Sequence, residues 1–180
     1  NNELASQIFS TNGTSLGNFY IENRVPIKFS DLPPHLVNAL LATEDERFYM
    51  HNGIDFEALG RVMIKTIVLR QESSGGASTL TQQLAKQLFT KNPSTNKLER
   101  IVQKLKEWII AVRLERNFTK DEIIALYLNK FSFINGAYGI KAASEIYFGK
   151  SQEELTVPEA ATLVGMLQNP SLYNPLRRPE

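Results

Sequence analysis

The sequence contains no cysteine. This absence excludes disulfide bonds, a thiolate nucleophile, cysteine-ligated zinc and iron–sulfur clusters. The sequence also has little excess charge. It contains 20 Lys and Arg residues and 19 Asp and Glu residues, which gives a net charge of +1. A chain without an overall positive field gives no argument for nucleic acid as a partner, and we predict none. Any recognition of an anion must therefore come from a local site.

Long hydrophobic runs are also missing. No stretch of about 18 apolar residues occurs, so the sequence predicts no membrane-spanning helix. What is present is the composition of a globular chain, with 180 residues, 42% of them hydrophobic and 22% charged. We interpret residues 1–180 as a single domain. Since the chain begins at Asn1 without Met or a signal-peptide pattern, we expect it to be an excised domain, with a membrane anchor or neighbouring domains as the alternatives for what lies outside it.

Local patterns predict a mainly α fold with a small N-terminal β element. Residues 7–10 and 17–22 show the alternation of side-chain type that is typical of strands. Between them lies Asn12-Gly13, which is a hairpin turn signal. Capping signals at Thr79, Thr119 and Thr156 each predict the start of a helix. The clearest helix is Lys97–Asn117, where apolar residues at a period of 3.6 form one face: Leu98, Ile101, Val102, Leu105, Trp108, Ile109 and Val112.

The acidic triplet Glu44-Asp45-Glu46 is the first candidate site. It follows an apolar helix and precedes a loop with Phe48, His51 and Gly53. A solvated acidic helix end is the ordinary interpretation, but in this setting a carboxylate can also lie in a cleft. No second histidine lies at metal-ligand spacing from His51, so we interpret it as structural and predict no metal site.

A glycine-containing helix start is the second candidate. Gly75, Gly76, Ser78 and Thr79 precede a helix that carries Gln82, Gln83 and Lys86. Free N–H groups, two hydroxyls and a lysine could together cradle a phosphate. The alternative is an ordinary helix start, for which glycines are common.

Two helical segments complete the set of candidates. On the long helix, Glu107 follows Lys104 and shares a stripe with Ile110 and Leu114, which indicates either a partly desolvated carboxylate or a surface ion pair. The segment 56–69 is apolar on more than one side, as in a buried helix or a membrane-touching helix with basic residues at the headgroups. Its candidate membrane contacts are Val62, Met63, Ile64, Ile67, Val68 and Leu69.

In chain order, these residues resemble the motifs of the peptidoglycan glycosyltransferase domain of class A penicillin-binding proteins and monofunctional transglycosylases. The resemblance departs from the family pattern at Ala77, at Gln103 and in a longer loop at 91–96. The five motifs cover residues 44 to 175: Glu44-Asp45-x-x-Phe48-x-x-His51-x-Gly53; Gly76-x-Ser78-Thr79-x-Thr81-Gln82-Gln83-Leu84-x-Lys86; Lys104-x-x-Glu107; Tyr127-Leu128-Asn129 with Gly136; and Glu159-Ala160-Ala161 leading to Pro170-x-x-Tyr173-x-Pro175.

The resemblance implies a lysozyme-like helical fold with a hydrophobic, membrane-associated lobe. It implies polymerisation of lipid II into glycan strands, with inversion at the anomeric carbon and release of undecaprenyl pyrophosphate. Glu44 and Glu107 would be catalytic, with Glu44 as the general base. The residues implied to bind substrate or pyrophosphate are Asp45, Phe48, Gly76, Ser78, Thr79, Gln82, Gln83, Lys86, Lys104 and Asn129.

The same resemblance implies the surroundings of the protein. No cofactor is expected to be required, and assistance by a divalent cation is left open. The expected partners are lipid II, the growing glycan strand and the bacterial membrane surface, and a covalently linked transpeptidase domain outside this chain is left open. The expected location is the outer face of the bacterial cytoplasmic membrane.

Two alternatives come from other classes of protein. A lysozyme-like hydrolase or lytic transglycosylase would also use a carboxylate on a helical scaffold, but its leaving group is a sugar and requires no cationic cluster. A non-enzymatic module would bind the membrane through 56–69 and leave its acidic residues solvated. Activity on lipid II and the effect of Glu44→Gln distinguish these alternatives from a glycosyltransferase.

Overall fold

A computed structural model describes residues 6–11, 15–19, 26–68, 78–90 and 95–177, and helices dominate it. The predicted mainly α class with a small N-terminal β element is confirmed. The elements in chain order are β1 (Ser6–Phe9), β2 (Ser15–Phe19), α1 (Pro34–Glu44), α2 (Phe56–Val68), α3 (Leu80–Phe89), α4 (Lys97–Asn117), α5 (Lys120–Lys130), α6 (Ile140–Phe148) and α7 (Val157–Gln168).

The β element is a two-stranded antiparallel sheet. Strand β1 pairs with β2 so that Ser6 lies opposite Phe19, and the register is irregular between Ile8 and Phe9. The predicted hairpin is therefore present, while its predicted turn at Asn12-Gly13 lies outside the described residues.

The chain divides into two compact units. A discontinuous unit comprises Asn1–Ala39 and Leu128–Glu180, and a central unit comprises Leu40–Tyr127. The first three motifs and Tyr127, the first residue of the fourth motif, lie in the central unit. The motif residues from Leu128 onward lie in the discontinuous unit.

The discontinuous unit is held by buried apolar side chains and by polar links to the backbone. The Asn129 side chain accepts a hydrogen bond from the Ile27 amide at 2.9 Å and donates one to the Ile27 carbonyl at 2.8 Å. The Tyr147 hydroxyl donates to the Phe133 carbonyl at 2.6 Å. Because all these groups are at least partly buried, the links satisfy polar atoms that would otherwise be costly to desolvate.

The central unit is built around the pairing of α3 with α4. Its core includes the fully buried side chains of Leu80, Leu84, Ala111 and Ile123. Lys120 on α5 joins distant segments, since its ammonium group donates to the His51 carbonyl at 2.7 Å and to Glu115 at 2.9 Å.

One face of α4 is exposed although it is apolar. A face of this composition usually packs on a core, yet five of its residues are at least half exposed, namely Leu98, Ile101, Val102, Leu105 and Ile109. The buried residues of α4 are instead Glu107 and Ala111. The helix thus presents Glu107, and not its apolar face, to the interior of the central unit.

The predicted helix starts are present, with one difference. Thr156 and Glu159 form a complete capping box, whereas at α3 only half of the box is made. The Thr79 hydroxyl accepts from the Gln82 amide at 3.2 Å. The Gln82 side chain is buried and has no hydrogen-bond partner within the described ranges, so it returns no bond to Thr79. The side-chain amide of Gln82 is buried instead of bonding to the Thr79 backbone.

Within the described part of the chain, no helix is both long enough and apolar enough to cross a bilayer.

Candidate active site

Glu44 is the last residue of α1, and its two carboxylate oxygens have different surroundings. Oε2 accepts a hydrogen bond from the Gln83 side-chain amide at 2.9 Å. Oε1 is buried and has no hydrogen-bond partner among the described residues. A carboxylate held through one oxygen, with the other oxygen uncommitted, is suited to accept a proton.

A cavity of about 210 Å³ lies beside this carboxylate. Its wall combines acidic, basic and hydroxyl groups, including Glu44, Glu46, Arg61, Ser78 and Thr79. Residues of the first two motifs, predicted from separate stretches of sequence, are therefore brought to one cavity.

Asp45 fixes the loop after Glu44 to the start of α3. Its carboxylate accepts from the Leu80 backbone amide at 2.8 Å and lies 3.0 Å from the His51 imidazole nitrogen Nε2. A carboxylate at a helix N-terminus satisfies a free amide and interacts favourably with the helix dipole. The contact of His51 agrees with its predicted structural role.

The Thr79 hydroxyl makes a second link between the same segments, since it donates to the Gly53 carbonyl at 2.7 Å. Gly53 has a φ of +89°, a conformation that side chains other than glycine rarely adopt. Its position against α4 leaves no room for a Cβ atom, which would lie 2.9 Å from the carbonyl carbon of Ala111.

The predicted site residues of α4, Lys104 and Glu107, contact residues that flank α3 at its start and its end. Lys104 Nζ donates to Ser78 Oγ at 2.7 Å and lies 3.5 Å from Glu107 Oε2. The Thr90 hydroxyl donates to the other Glu107 oxygen at 3.3 Å. Glu107 is only 6% exposed, as its stripe position predicted. Its ion pair with Lys104 makes the burial of the carboxylate less costly.

The remaining predicted site residues are more scattered. Phe48 is fully buried, with Lys120 Nζ 4.2 Å from the centre of its ring. Lys86 is exposed on α3. Asn129 lies in the discontinuous unit, where it binds the Ile27 backbone. Gly76 lies outside the described residues.

The predicted membrane contacts are only partly described. Val62 is half-buried and Ile64 is 62% exposed. Leu69 and the side chains of Met63, Ile67 and Val68 lie outside the described part of the chain.

Two contacts of the site were not predicted. The Tyr127 hydroxyl donates to the side-chain oxygen Oε1 of Gln83 at 3.0 Å, and the Thr90 hydroxyl donates to Glu107. Tyr127 belongs to the predicted Tyr-Leu-Asn motif, which was the available signal, whereas nothing in the local sequence marks Thr90.

The described residues contain no group of three or more His, Asp and Glu side chains arranged to hold a metal ion.

Comparison with known proteins identifies the family. The family model described as Transglycosylase matches residues 12–180. Penicillin-binding protein 1F of Bacillus subtilis is 41% identical over 176 residues, which are 98% of this chain and 24% of that protein. Penicillin-binding protein 1A of Escherichia coli is 39% identical over 174 residues, or 97% of this chain and 20% of that protein. Penicillin-binding protein 1A of Aquifex aeolicus is 42% identical, with 98% and 23% covered.

Because this family model covers nearly the whole helical domain, the chain belongs to the transglycosylase family. The predicted family and enzyme class, a peptidoglycan glycosyltransferase domain, are thereby confirmed. The chain spans about a quarter or less of the length of the relatives named here.

Proposed function

We propose that this chain polymerises lipid II into glycan strands and releases undecaprenyl pyrophosphate. The observation that carries the proposal is the cavity wall that Glu44 shares with Ser78, to which Lys104 is hydrogen bonded. A carboxylate that can accept a proton and a cationic group that can meet a leaving pyrophosphate therefore belong to one site. A hydrolase that releases a sugar would have no use for the cationic group.

The proposed reaction is an inverting displacement. Glu44 accepts the proton of the 4-hydroxyl of one substrate, and that oxygen attacks the anomeric carbon of the second. The bond from this carbon to the pyrophosphate oxygen breaks, and the electron pair leaves with the pyrophosphate. The Glu44 oxygen without a partner, Oε1, is the proposed proton acceptor.

The opposite side of the reaction needs positive charge where the leaving group develops negative charge. Lys104 supplies a cation at Ser78, and the first turn of α3 contributes the positive end of the helix dipole. Exposed Lys86 is available as a second cation. Glu107 would act on this side by holding Lys104 in place, since it is buried beside the lysine.

We propose that the substrate is bound at the outer face of the bacterial cytoplasmic membrane. The polyprenyl tail of lipid II requires an active site at the bilayer surface. Helix α2 has exposed apolar side chains at Phe56 and Ile64, together with exposed Arg61, which suits anionic headgroups.

Further features of the proposal follow the family. Residues 1–180 would act as one domain of a longer protein, with a transpeptidase domain as a covalent partner and the growing glycan strand as product. We propose no resident cofactor. Activity with and without EDTA tests the contribution of a divalent cation.

The test is incubation of the chain with fluorescent lipid II, followed by gel separation of the products. A ladder of glycan strands is expected from the wild type, and Glu44→Gln should abolish it without changing the circular dichroism spectrum. Release of fragments from finished cell wall instead of a ladder would indicate a hydrolase. A ladder from Glu44→Gln at the wild-type rate would remove Glu44 from the mechanism.

A further inference from the structure

We infer that Tyr127 is a positioning residue for the Glu44 carboxylate and that it acts through the Gln83 amide. The inference rests on the proposed role of Glu44 as general base. Tyr127 has no contact with the substrate in this scheme, so its effect on catalysis would be indirect.

The geometry is a chain of two hydrogen bonds within the central unit. The Tyr127 hydroxyl on α5 donates to Gln83 Oε1 on α3 at 3.0 Å. Gln83 Nε2 then donates to Glu44 Oε2 at the end of α1, at 2.9 Å. Three helices therefore contribute one group each to the placement of the carboxylate.

The chemistry of the groups allows only one orientation of the amide. If Gln83 were reversed, its carbonyl oxygen would face the Glu44 carboxylate, and two acceptors would repel each other. Burial, followed by the negative charge of Glu44, raises the pKa of Tyr127 above its usual value, so the phenol keeps its proton and remains a donor. The phenol proton is thus directed to the Gln83 carbonyl, and the Gln83 NH₂ group is directed to Glu44.

This arrangement selects which carboxylate oxygen is available for catalysis. Gln83 occupies Oε2, while Oε1 has no hydrogen-bond partner among the described residues. Loss of the phenol hydroxyl would let the amide rotate and would release the carboxylate from a fixed orientation. Because small misplacements of reacting groups are costly to rate, the turnover of a folded variant should fall.

The experiment compares Tyr127→Phe, Gln83→Met and the double variant with the wild type in the fluorescent lipid II assay. We expect Tyr127→Phe to lower kcat by about 10-fold with little change in KM, short of the ~10² to 10⁴ expected for loss of the base itself. In the double variant, Tyr127→Phe should add nothing to the effect of Gln83→Met, because both changes break the same chain of bonds.

Tyr147→Phe is the matched control. It also removes a buried tyrosine hydroxyl that donates a short hydrogen bond, but its acceptor is the Phe133 carbonyl in the discontinuous unit. Comparable losses of melting temperature in the two tyrosine variants, with a loss of kcat only in Tyr127→Phe, would separate positioning from general stability.

The outcomes are distinct. Wild-type turnover by folded Tyr127→Phe, or an equal loss in the Gln83→Met background, would overturn the inference. If Tyr127→Phe does not fold, the Gln83→Met variant provides the test, because it breaks the same chain of hydrogen bonds. A folded Gln83→Met variant with wild-type kcat would then overturn the inference. Failure of the wild-type chain to polymerise, or full activity of Glu44→Gln, would instead contradict the proposed function.

Discussion

The Lys104 ammonium group donates a 2.7 Å hydrogen bond to the Ser78 hydroxyl, across 26 positions of sequence. Ser78 directly precedes the Thr79 cap of α3 and lines the cavity beside Glu44. The contact therefore places a cation of α4 beside the start of α3, at the wall of the cavity.

Replacing Lys104 with alanine should raise the KM for lipid II by about 10-fold, because a hydrogen bond to a charged group contributes roughly 1.5 to 3 kcal/mol. Steady-state kinetics of the glycan ladder measure the change. Lys106→Ala is the control, since Lys106 is exposed on the same helix. Equal kinetics for Lys104→Ala and wild type would show that this contact is structural only.

Two glycine substitutions should have opposite effects on stability. Gly53→Ala should cost at least about 2 kcal/mol, because the residue has a positive φ and its Cβ would meet the α4 backbone. Gly60 lies inside α2 with open space around it, so Gly60→Ala should stabilise by about 0.5 to 1 kcal/mol. Urea unfolding measures both, and a stable Gly53→Ala variant would contradict the described packing.

The apolar face of α4 should tolerate truncation although its sequence pattern is that of a core face. Leu105 is 50% exposed, so Leu105→Ala should change the free energy of unfolding by no more than about 0.5 kcal/mol. Leu84→Ala, at a fully buried position, should cost about 2 to 5 kcal/mol. Similar losses for the two variants would mean that the α4 face is covered in solution.

Membrane contact through α2 can be tested at Ile64. Ile64→Glu should reduce binding to anionic phospholipid vesicles by about 10-fold or more, because burying an isoleucine side chain contributes roughly 1.5 to 3 kcal/mol. Ile146→Glu provides the control, as an exposed isoleucine on α6. Vesicle flotation gives the binding, and circular dichroism checks the fold. Equal binding by a folded Ile64→Glu variant would place the membrane contact elsewhere.

Glu159 should make a pH-dependent contribution to stability. Hydrogen bonds from the Thr156 backbone first, and then from Lys150, lower the pKa of its carboxyl to about 2 from the usual 4.5. Since the folded pKa is the lower one, the ionised group stabilises the fold above about pH 4.5, and this stabilisation is lost as the pH falls toward 2.

The melting temperature of Glu159→Gln should therefore lie below that of the wild type at pH 7, and the difference should shrink at pH 3. Glu153→Gln, at an exposed position nearby, should show no such trend. A difference for Glu159→Gln that is the same at both pH values would contradict the assignment.

The helix bounds that could be predicted from the sequence are those determined by residues close together in the chain. The bounds of α4 at Lys97 and Asn117 and the start of α3 after Thr79 agree with the sequence analysis. Periodicity and capping are properties of a few adjacent residues, so a single sequence displays them. The burial of Glu107 was also predictable, because Ile110 and Leu114 share its stripe.

The roles of individual motif residues could not be obtained in the same way. Asp45 and Phe48 are predicted to bind substrate. In the structure, Asp45 lines the cavity and its carboxylate also accepts from the Leu80 amide, whereas Phe48 is fully buried. Both facts depend on residues dozens of positions away. The motif pattern predicts a set of site residues, whereas tertiary packing decides which of their side chains line the cavity.

The bonds that place Glu44 join parts of the chain that are far apart in sequence. Gln83 is 39 positions from Glu44, and Tyr127 is 44 positions from Gln83. Closing such loops costs chain entropy before any contact compensates for it, so contacts of this kind form late in folding. During synthesis, helices can form as they emerge, but the hydrogen bond from Tyr127 to Gln83 cannot form until α5 has been made and has docked. A nascent chain that ends before Tyr127 therefore contains the proposed general base without the complete chain of hydrogen bonds that we infer to orient it.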